Sequence, residues 1–171
     1  MLTPSLHKAL RALPLTLALL AVPVGAQAAT ITQEGDALVL RGAPGESNFV
    51  YMNGSYNPAG RLRFEDSKAI TSVPGTCEAR TDTMVDCEML ARVHIELGDQ
   101  NDSVGFSEDH TFVLPYEILG GDGSDRLHGN HEGDAPGLLD GGPGKDGLDG
   151  YGGDDELRGG PGDDALAGEQ V

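Results

Sequence analysis

The chain has 171 residues, of which 28 are acidic and 11 are Lys or Arg, so its formal net charge is -17. This length allows one or two domains. The excess of negative charge opposes binding to nucleic acid or to an anionic membrane surface and favours cations as partners.

Residues 1–28 have the pattern of a secretory signal peptide. Lys8 and Arg11 give a positive start, an apolar run covers residues 13–24, and a small-x-small cleavage site ends at Ala28. The apolar run is shorter than the roughly 20 residues that span a bilayer. We therefore predict cleavage after Ala28, secretion of the mature chain, and no bilayer-spanning segment within it.

Residues 29–119 contain several short runs that alternate or are rich in branched and aromatic residues. The clearest of these are 37–40, 49–52 and 93–97, and we predict a strand for each. Cys77 and Cys87 are the only cysteines. An even number of cysteines in an exported chain favours a disulfide, and two free thiols are the alternative.

No catalytic constellation is found in the mature sequence. The HExxH pattern of zinc proteases and the GxSxG context of a serine nucleophile are both absent. His128 and His131 lie three residues apart in a predicted turn, where surface histidines are the simplest interpretation. We expect a protein that is not an enzyme.

The last third of the chain has a period of nine residues. The repeats are GGDGSDRLH (120–128), GGPGKDGLD (141–149), GYGGDDELR (150–158) and GGPGDDALA (159–167), and a fifth begins at Gly168. Positions 1 and 4 are always Gly, position 6 is always Asp and position 8 is always Leu. Residues 129–140 form a unit enlarged by three residues. A strict period predicts ordered repeats, whereas composition alone would suggest a disordered acidic tail.

These units resemble the hemolysin-type calcium-binding repeat of the RTX family, GGxGxDxUx, in which U is a large apolar residue. Weaker units precede them. Residues 97–104 keep Asp102 at position 6 and have Gln100 at position 4, while residues 42–50 have Ser47 in place of the aspartate. The resemblance implies that GGxGxD forms a turn that binds Ca2+ and that xUx forms a short strand.

The expected fold is all-β, a parallel β-roll or β-solenoid with more irregular β-structure in its N-terminal half. Three regions follow from this interpretation: the signal peptide 1–28, a degenerate β-repeat region 29–119 with a Cys77–Cys87 loop, and calcium-binding nonapeptide repeats 120–171. We expect the last two to form one elongated structure. Because units eighteen residues apart stack directly, the turns that begin at 120, 141 and 159 should share one face.

On that face, Asp125, Asp146 and Asp164 should form two inter-turn Ca2+ sites. The resemblance implies that turn carbonyls complete each coordination shell. The opposite face, with Asp155, should offer one poor site at best. The predicted metal ligands are Asp122, Asp125, Asp146, Asp155, Asp163, Asp164, Gly120, Gly121, Gly123, Gly141, Gly142, Gly144, Gly159, Gly160 and Gly162.

The sequence therefore predicts a secreted calcium-binding protein whose repeats are loose or unfolded until Ca2+ fills the turns. Two alternatives stay open: an accessory module of an extracellular hydrolase or epimerase, and an adhesive or cell-envelope protein. The sequence stops four residues into a repeat. For this reason we expect a partner molecule or the cell surface at an uncapped C-terminal edge.

Overall fold

The computed structural model describes residues 28–54, 61–107, 113–131 and 135–168. Within these ranges the chain forms fifteen β-strands and no helix, which confirms the predicted all-β class. The strands form two mixed sheets in which most neighbours are parallel. The predicted signal peptide lies outside the described residues except for Ala28, and the first strand begins at Ala29.

Sheet A has seven strands and sheet B has eight, and both sheets continue past residue 119 without a break. The order in sheet A is β14-β12-β10-β8-β2-β1-β5, and the order in sheet B is β15-β13-β11-β9-β3-β4-β7-β6. The strands are β1 Ala29–Glu34, β2 Ala37–Arg41, β3 Phe49–Asn53, β4 Arg61–Asp66, β5 Ile70–Ser72, β6 Cys77–Ala79, β7 Met84–Glu88, β8 Arg92–Asp99, β9 Ser103–Phe106, β10 Tyr116–Asp122, β11 Arg126–His128, β12 Gly137–Asp140, β13 Gly147–Asp149, β14 Glu156–Arg158 and β15 Ala165–Ala167.

The chain winds between the two sheets from β8 onward. Each strand lies in the opposite sheet from the strand before it and pairs in parallel with the strand two places ahead. Successive passages from sheet A to sheet B therefore occur at one edge of the structure, and the return passages occur at the other edge.

The N-terminal half has antiparallel hairpins that the repeat pattern does not contain. Strand β1 pairs with β2, and β4 lies antiparallel between β3 and β7. The predicted strands at 37–40, 49–52 and 93–97 are confirmed as β2, β3 and β8. The expected disulfide is also present: Cys77 lies directly opposite Cys87 on the β6–β7 pair, and the two are bonded.

The hydrophobic core lies between the sheets. Of the side chains at position 8 of the repeats, Leu127 and Leu148 are buried in this core and Leu157 packs against it, as predicted. Leu127 is fully buried, whereas the exposed fraction of Leu166, on the last strand of sheet B, is 50%. Hydrophobic burial therefore decreases towards the C-terminal strands.

A buried carboxylate joins two arginines near the N-terminal end of sheet B. The carboxylate of Asp86 is 2% exposed and accepts hydrogen bonds from Nε of Arg63 and Nε of Arg80, each at 2.6 Å. The hydrogen bond from Arg63 is the main cause that holds the pKa of Asp86 below its ordinary value. Hydrogen bonds to charged groups are among the stronger ones in proteins, so this contact stabilises β4, β7 and the loop before β7.

We predict that Asp86→Asn lowers the free energy of unfolding by about 2 kcal/mol, the usual size for loss of a charged hydrogen bond. Because the pKa of Asp86 is lowered by folding, its contribution is full above the ordinary carboxyl pKa and declines as the pH falls below that value. Urea unfolding at pH 7 and at pH 3 measures both effects.

The control is Asp82→Asn, which removes the same charge at an exposed position of the neighbouring turn. Equal unfolding midpoints for Asp86→Asn and Asp82→Asn at pH 7 would contradict the assigned role of Asp86.

Candidate metal centre

Five turns stack at the edge where the chain passes from sheet A to sheet B. They cover residues 42–48, 97–102, 120–125, 141–146 and 159–164, and we call them the aspartate stack. Parallel backbone bridges join the fourth positions of the last three turns. The turns that begin at 120, 141 and 159 thus lie on one face, as their spacing predicts, and two earlier turns extend the same column.

The sixth position of each turn is tied to the next turn by a hydrogen bond from backbone to carboxylate. The backbone N–H of Asp125 donates to Oδ1 of Asp146 at 2.8 Å, and the N–H of Asp146 donates to Oδ1 of Asp164 at 2.9 Å. Upstream, the N–H of Asp102 donates to Asp125 at 2.8 Å and the N–H of Asn48 donates to Asp102 at 2.6 Å. One carboxylate oxygen in every step therefore fixes the distance between adjacent turns.

The second oxygen of these carboxylates is buried and has no hydrogen-bond partner. This holds for Oδ2 of Asp102, Asp125 and Asp146, whose residues are at most 3% exposed. Burial raises the pKa of Asp102 and of Asp125 to about 6, and hydrogen bonds from the backbone only partly oppose the shift. A buried carboxylate without a counter-charge costs free energy, so a cation bound beside these oxygens would stabilise the fold.

Because the glycine at position 1 has no Cβ, the free carboxylate oxygen can lie directly against it. A Cβ built on Gly120 would meet Oδ2 of Asp125, and it would lie 2.7 Å from the carbonyl oxygen of Gly141 in the next turn. A Cβ on Gly141 would likewise lie 2.5 Å from Oδ2 of Asp146. The free oxygen of one turn and a carbonyl oxygen of the next turn therefore lie against the same glycine.

Glycines at positions 2 and 4 receive the carbonyl groups of the turn before them. The carbonyl oxygen of Gly121 lies against Gly142, and that of Gly123 lies against Gly144, so closely that a Cβ would overlap each oxygen. The same contacts recur one turn further on, at Gly160 and Gly162. Each gap between two turns therefore contains carbonyl oxygens as well as carboxylate oxygens.

This set of donors fits a hard divalent cation. Ca2+ takes six to eight oxygens from carboxylates, carbonyls and water, and the gaps supply both kinds of protein oxygen. Across the described parts of the chain, no group of three or more His, Cys, Asp or Glu side chains could hold a metal ion. A cation in the stack would thus rest on two carboxylates and on backbone carbonyls. Asp122 and Asp163, which the sequence also predicts as metal ligands, have exposed side chains.

The earliest turn differs from its predicted register by one residue. The strand pairing sets Phe49 opposite Ser103 and Val50 opposite Val104, so Asn48, and not Ser47, occupies the sixth position. The turn has one extra residue, which a strict count of nine does not allow. The next turn, residues 97–102, keeps its predicted register. Gln100 occupies the fourth position, where the repeats have glycine, and has a φ of 81°.

The opposite edge carries no comparable column in the part of the chain that the structure describes. Oδ1 of Asp155 accepts a hydrogen bond from the N–H of Gly137 at 2.7 Å, and the hydroxyl of Tyr116 lies 3.5 Å from the same oxygen. A Cβ on Gly137 would overlap the Tyr116 ring. Oδ2 of Asp155 is buried and has no hydrogen-bond partner, as in the aspartate stack. Gly137, and not an aspartate, occupies the sixth position of the unit before it, so only one carboxylate borders this gap. Part of the enlarged unit, residues 132–134, lies outside the described residues.

An open groove of about 750 Å³ runs along the aspartate stack and is lined by Asp102, Asp125 and Asp146. Arg126 and Lys145 lie at the same groove. The outer side of the turns is therefore open to solvent, and the Oδ2 atoms lie beneath the floor of the groove. At the other edge of the molecule, His128 and His131 contact the ring of Tyr151. His131 is exposed in a bend, whereas His128 is the half-buried last residue of β11, so the prediction of a turn histidine is wrong for His128.

Comparison with protein-family models, with curated proteins and with solved structures gives no match. Among the described residues, no helix is long and apolar enough to cross a membrane.

We predict that Gly142→Ala destabilises the chain far more than Gly35→Ala. Both glycines have left-handed backbone, with φ of 87° and 64°, which costs an L-residue roughly 1–2 kcal/mol. Gly35 has open space at the Cβ position, whereas Gly142 faces the carbonyl of Gly121. Overpacking adds about 1–3 kcal/mol, so we expect a total loss of about 3 kcal/mol for Gly142→Ala, measured by urea unfolding in the presence of Ca2+.

An equal loss of stability in the two variants would show that the turns are not packed against each other as described.

Proposed function

We propose that this chain is a secreted calcium-binding protein of the RTX type, without enzymatic activity, in which Ca2+ binds between stacked turns and stabilises a β-roll. The observation that carries the proposal is the pair of buried, unpartnered Oδ2 atoms of Asp125 and Asp146. They lie in a column whose turns follow the nine-residue repeat. The repeat sequence and the oxygen donors of the gaps favour the same ion.

The proposed role of Ca2+ is to neutralise carboxylates that folding brings together. Asp125 and Asp146 are buried in adjacent turns, so their charges repel each other at low dielectric. Asp125 and Asp146 would supply carboxylate oxygens, and the carbonyls of Gly121 and Gly123 would complete the gap. Binding to the folded chain alone stabilises it as the ion concentration rises above the dissociation constant.

The proposal also places the protein outside the cytoplasm. The predicted signal peptide supports export, and the Cys77–Cys87 disulfide is in accordance with an oxidising compartment. Extracellular Ca2+ is abundant enough to fill weak sites, and extracellular calcium modules have dissociation constants of about 10⁻⁴–10⁻³ M.

We predict that Ca2+ raises the melting temperature of the mature chain and increases its β-type circular dichroism relative to chelator. At a free concentration of 100 times the dissociation constant, one site contributes about 2.7 kcal/mol. Asp146→Asn should remove most of this gain, because it borders two gaps. The asparagine Oδ1 can still accept the N–H of Asp125, so the turn geometry is kept.

Asp82→Asn is the matched control, since it removes one exposed charge away from the stack. It should keep the full response to Ca2+. An identical melting temperature and spectrum in Ca2+ and in chelator, for the wild-type chain, would overturn the proposed function.

A further inference from the structure

We infer that the gap between turns 97–102 and 120–125 is a further Ca2+ site, which the nine-residue motif does not mark. The inference rests on the proposed function and extends it to a turn without the GGxGxD sequence. Its two carboxylates are those of Asp102 and Asp125.

The unpartnered buried carboxylate is the first observation that points to an ion. Asp102 is 3% exposed and Asp125 is 1% exposed, and Oδ2 of each has no hydrogen-bond partner. Oδ1 of Asp102 already accepts the N–H of Asn48 in the turn before. Its Oδ2 is buried without a partner, as Oδ2 of Asp125 is in the next turn, and both residues line the groove along the stack.

The backbone of the gap repeats the arrangement of the consensus gaps. The carbonyl oxygen of Gly98 lies against Gly121, and the carbonyl oxygen of Gln100 lies against Gly123. Asp102 donates its own N–H to Oδ1 of Asp125 at 2.8 Å. Positions 2, 4 and 6 of the two turns therefore face each other as they do in the gaps further along the stack.

Two departures from the consensus set the expected strength of the site. Leu97 stands at the first position instead of glycine, and its fully buried side chain belongs to the core. At the equivalent Gly141, a Cβ would lie 2.5 Å from Oδ2 of Asp146, so the Cβ of Leu97 keeps Oδ2 of Asp102 out of the equivalent place. Gln100 holds a φ of 81°, which a glycine would adopt without strain. We expect this site to bind Ca2+ more weakly than the gaps between glycine-rich turns.

The experiment counts bound Ca2+ by native mass spectrometry on the full mature chain and on four variants. Asp102→Asn should bind one ion fewer than wild type. Asp164→Asn, at the other end of the stack, should also bind one ion fewer, and the double variant should bind two fewer. Asp82→Asn should bind the wild-type number. In Asp102→Asn the Oδ1 that accepts the N–H of Asn48 is retained, so folding should be preserved.

A second measurement does not depend on any variant. Hydrogen exchange of wild type, with and without Ca2+, should show protection of the amides of residues 98–103 at higher Ca2+ concentration than those of residues 141–146. Absence of Ca2+-dependent protection at 98–103, or a full ion count in Asp102→Asn, would overturn the inference while the proposed function stands. Absence of any bound Ca2+ in wild type would overturn both.

Discussion

The hydrogen bond from the backbone N–H of one turn to the carboxylate of the next determines the geometry of the whole stack. It repeats from Asn48 through Asp102, Asp125 and Asp146 to Asp164. An aspartate is short enough to bond its neighbour without leaving the turn. Because Oδ1 accepts this hydrogen bond, Oδ2 of the same carboxylate is buried between the turns in Asp102, Asp125 and Asp146. The hydrogen bond that stacks the turns therefore also buries carboxylate oxygens that a positive charge would stabilise.

Acidic groups elsewhere in the chain are treated differently. On the outer face of sheet A, Arg41 bonds both Glu34 and Glu96, and His94 lies between Glu96 and Glu117. In sheet B, two arginines surround the buried carboxylate of Asp86. The buried carboxylate of Asp66, on β4, accepts hydrogen bonds from the Asn48 side chain and from the N–H of Lys68. These sheet carboxylates therefore have arginines, a histidine or several hydrogen-bond donors as partners. The buried Oδ2 atoms of the stack receive no such partner, and Arg126 and Lys145 lie at the groove beside them.

The sequence was sufficient to predict the all-β class, the disulfide and the shared face of the turns, because each depends on local spacing. The inward leucines followed from the same period. The hairpins around β4 and β7 could not be predicted, since antiparallel pairing over long separations has no nine-residue signal. Neither could the contact of Tyr116 with Asp155 at the opposite edge, because that contact joins residues 39 positions apart.

The degenerate turns show which part of the motif the fold requires. Asp102 occupies position 6 although Leu97 and Gln100 replace the glycines at positions 1 and 4 of its turn. Asn48 keeps the same backbone hydrogen bond without a carboxylate of its own. Position 6 therefore requires a residue whose N–H donates to the carboxylate of the next turn. A negative charge at that position is an additional property, which the stacking of the turns does not need.

The separations along the stack explain how the column tolerates insertions. Successive sixth positions are 54, 23, 21 and 18 residues apart, yet the hydrogen bond between them has the same form. Most of the extra residues belong to the stretch of sequence between β3 and β8 and to the connections that lead from sheet B back to sheet A. A length change there leaves the aspartate edge in register, because the parallel strands on either side fix where each turn begins and ends. Within the column, the turn at 42–48 is one residue longer than the others, so this edge accepts a small insertion as long as the backbone hydrogen bond to the next carboxylate is kept.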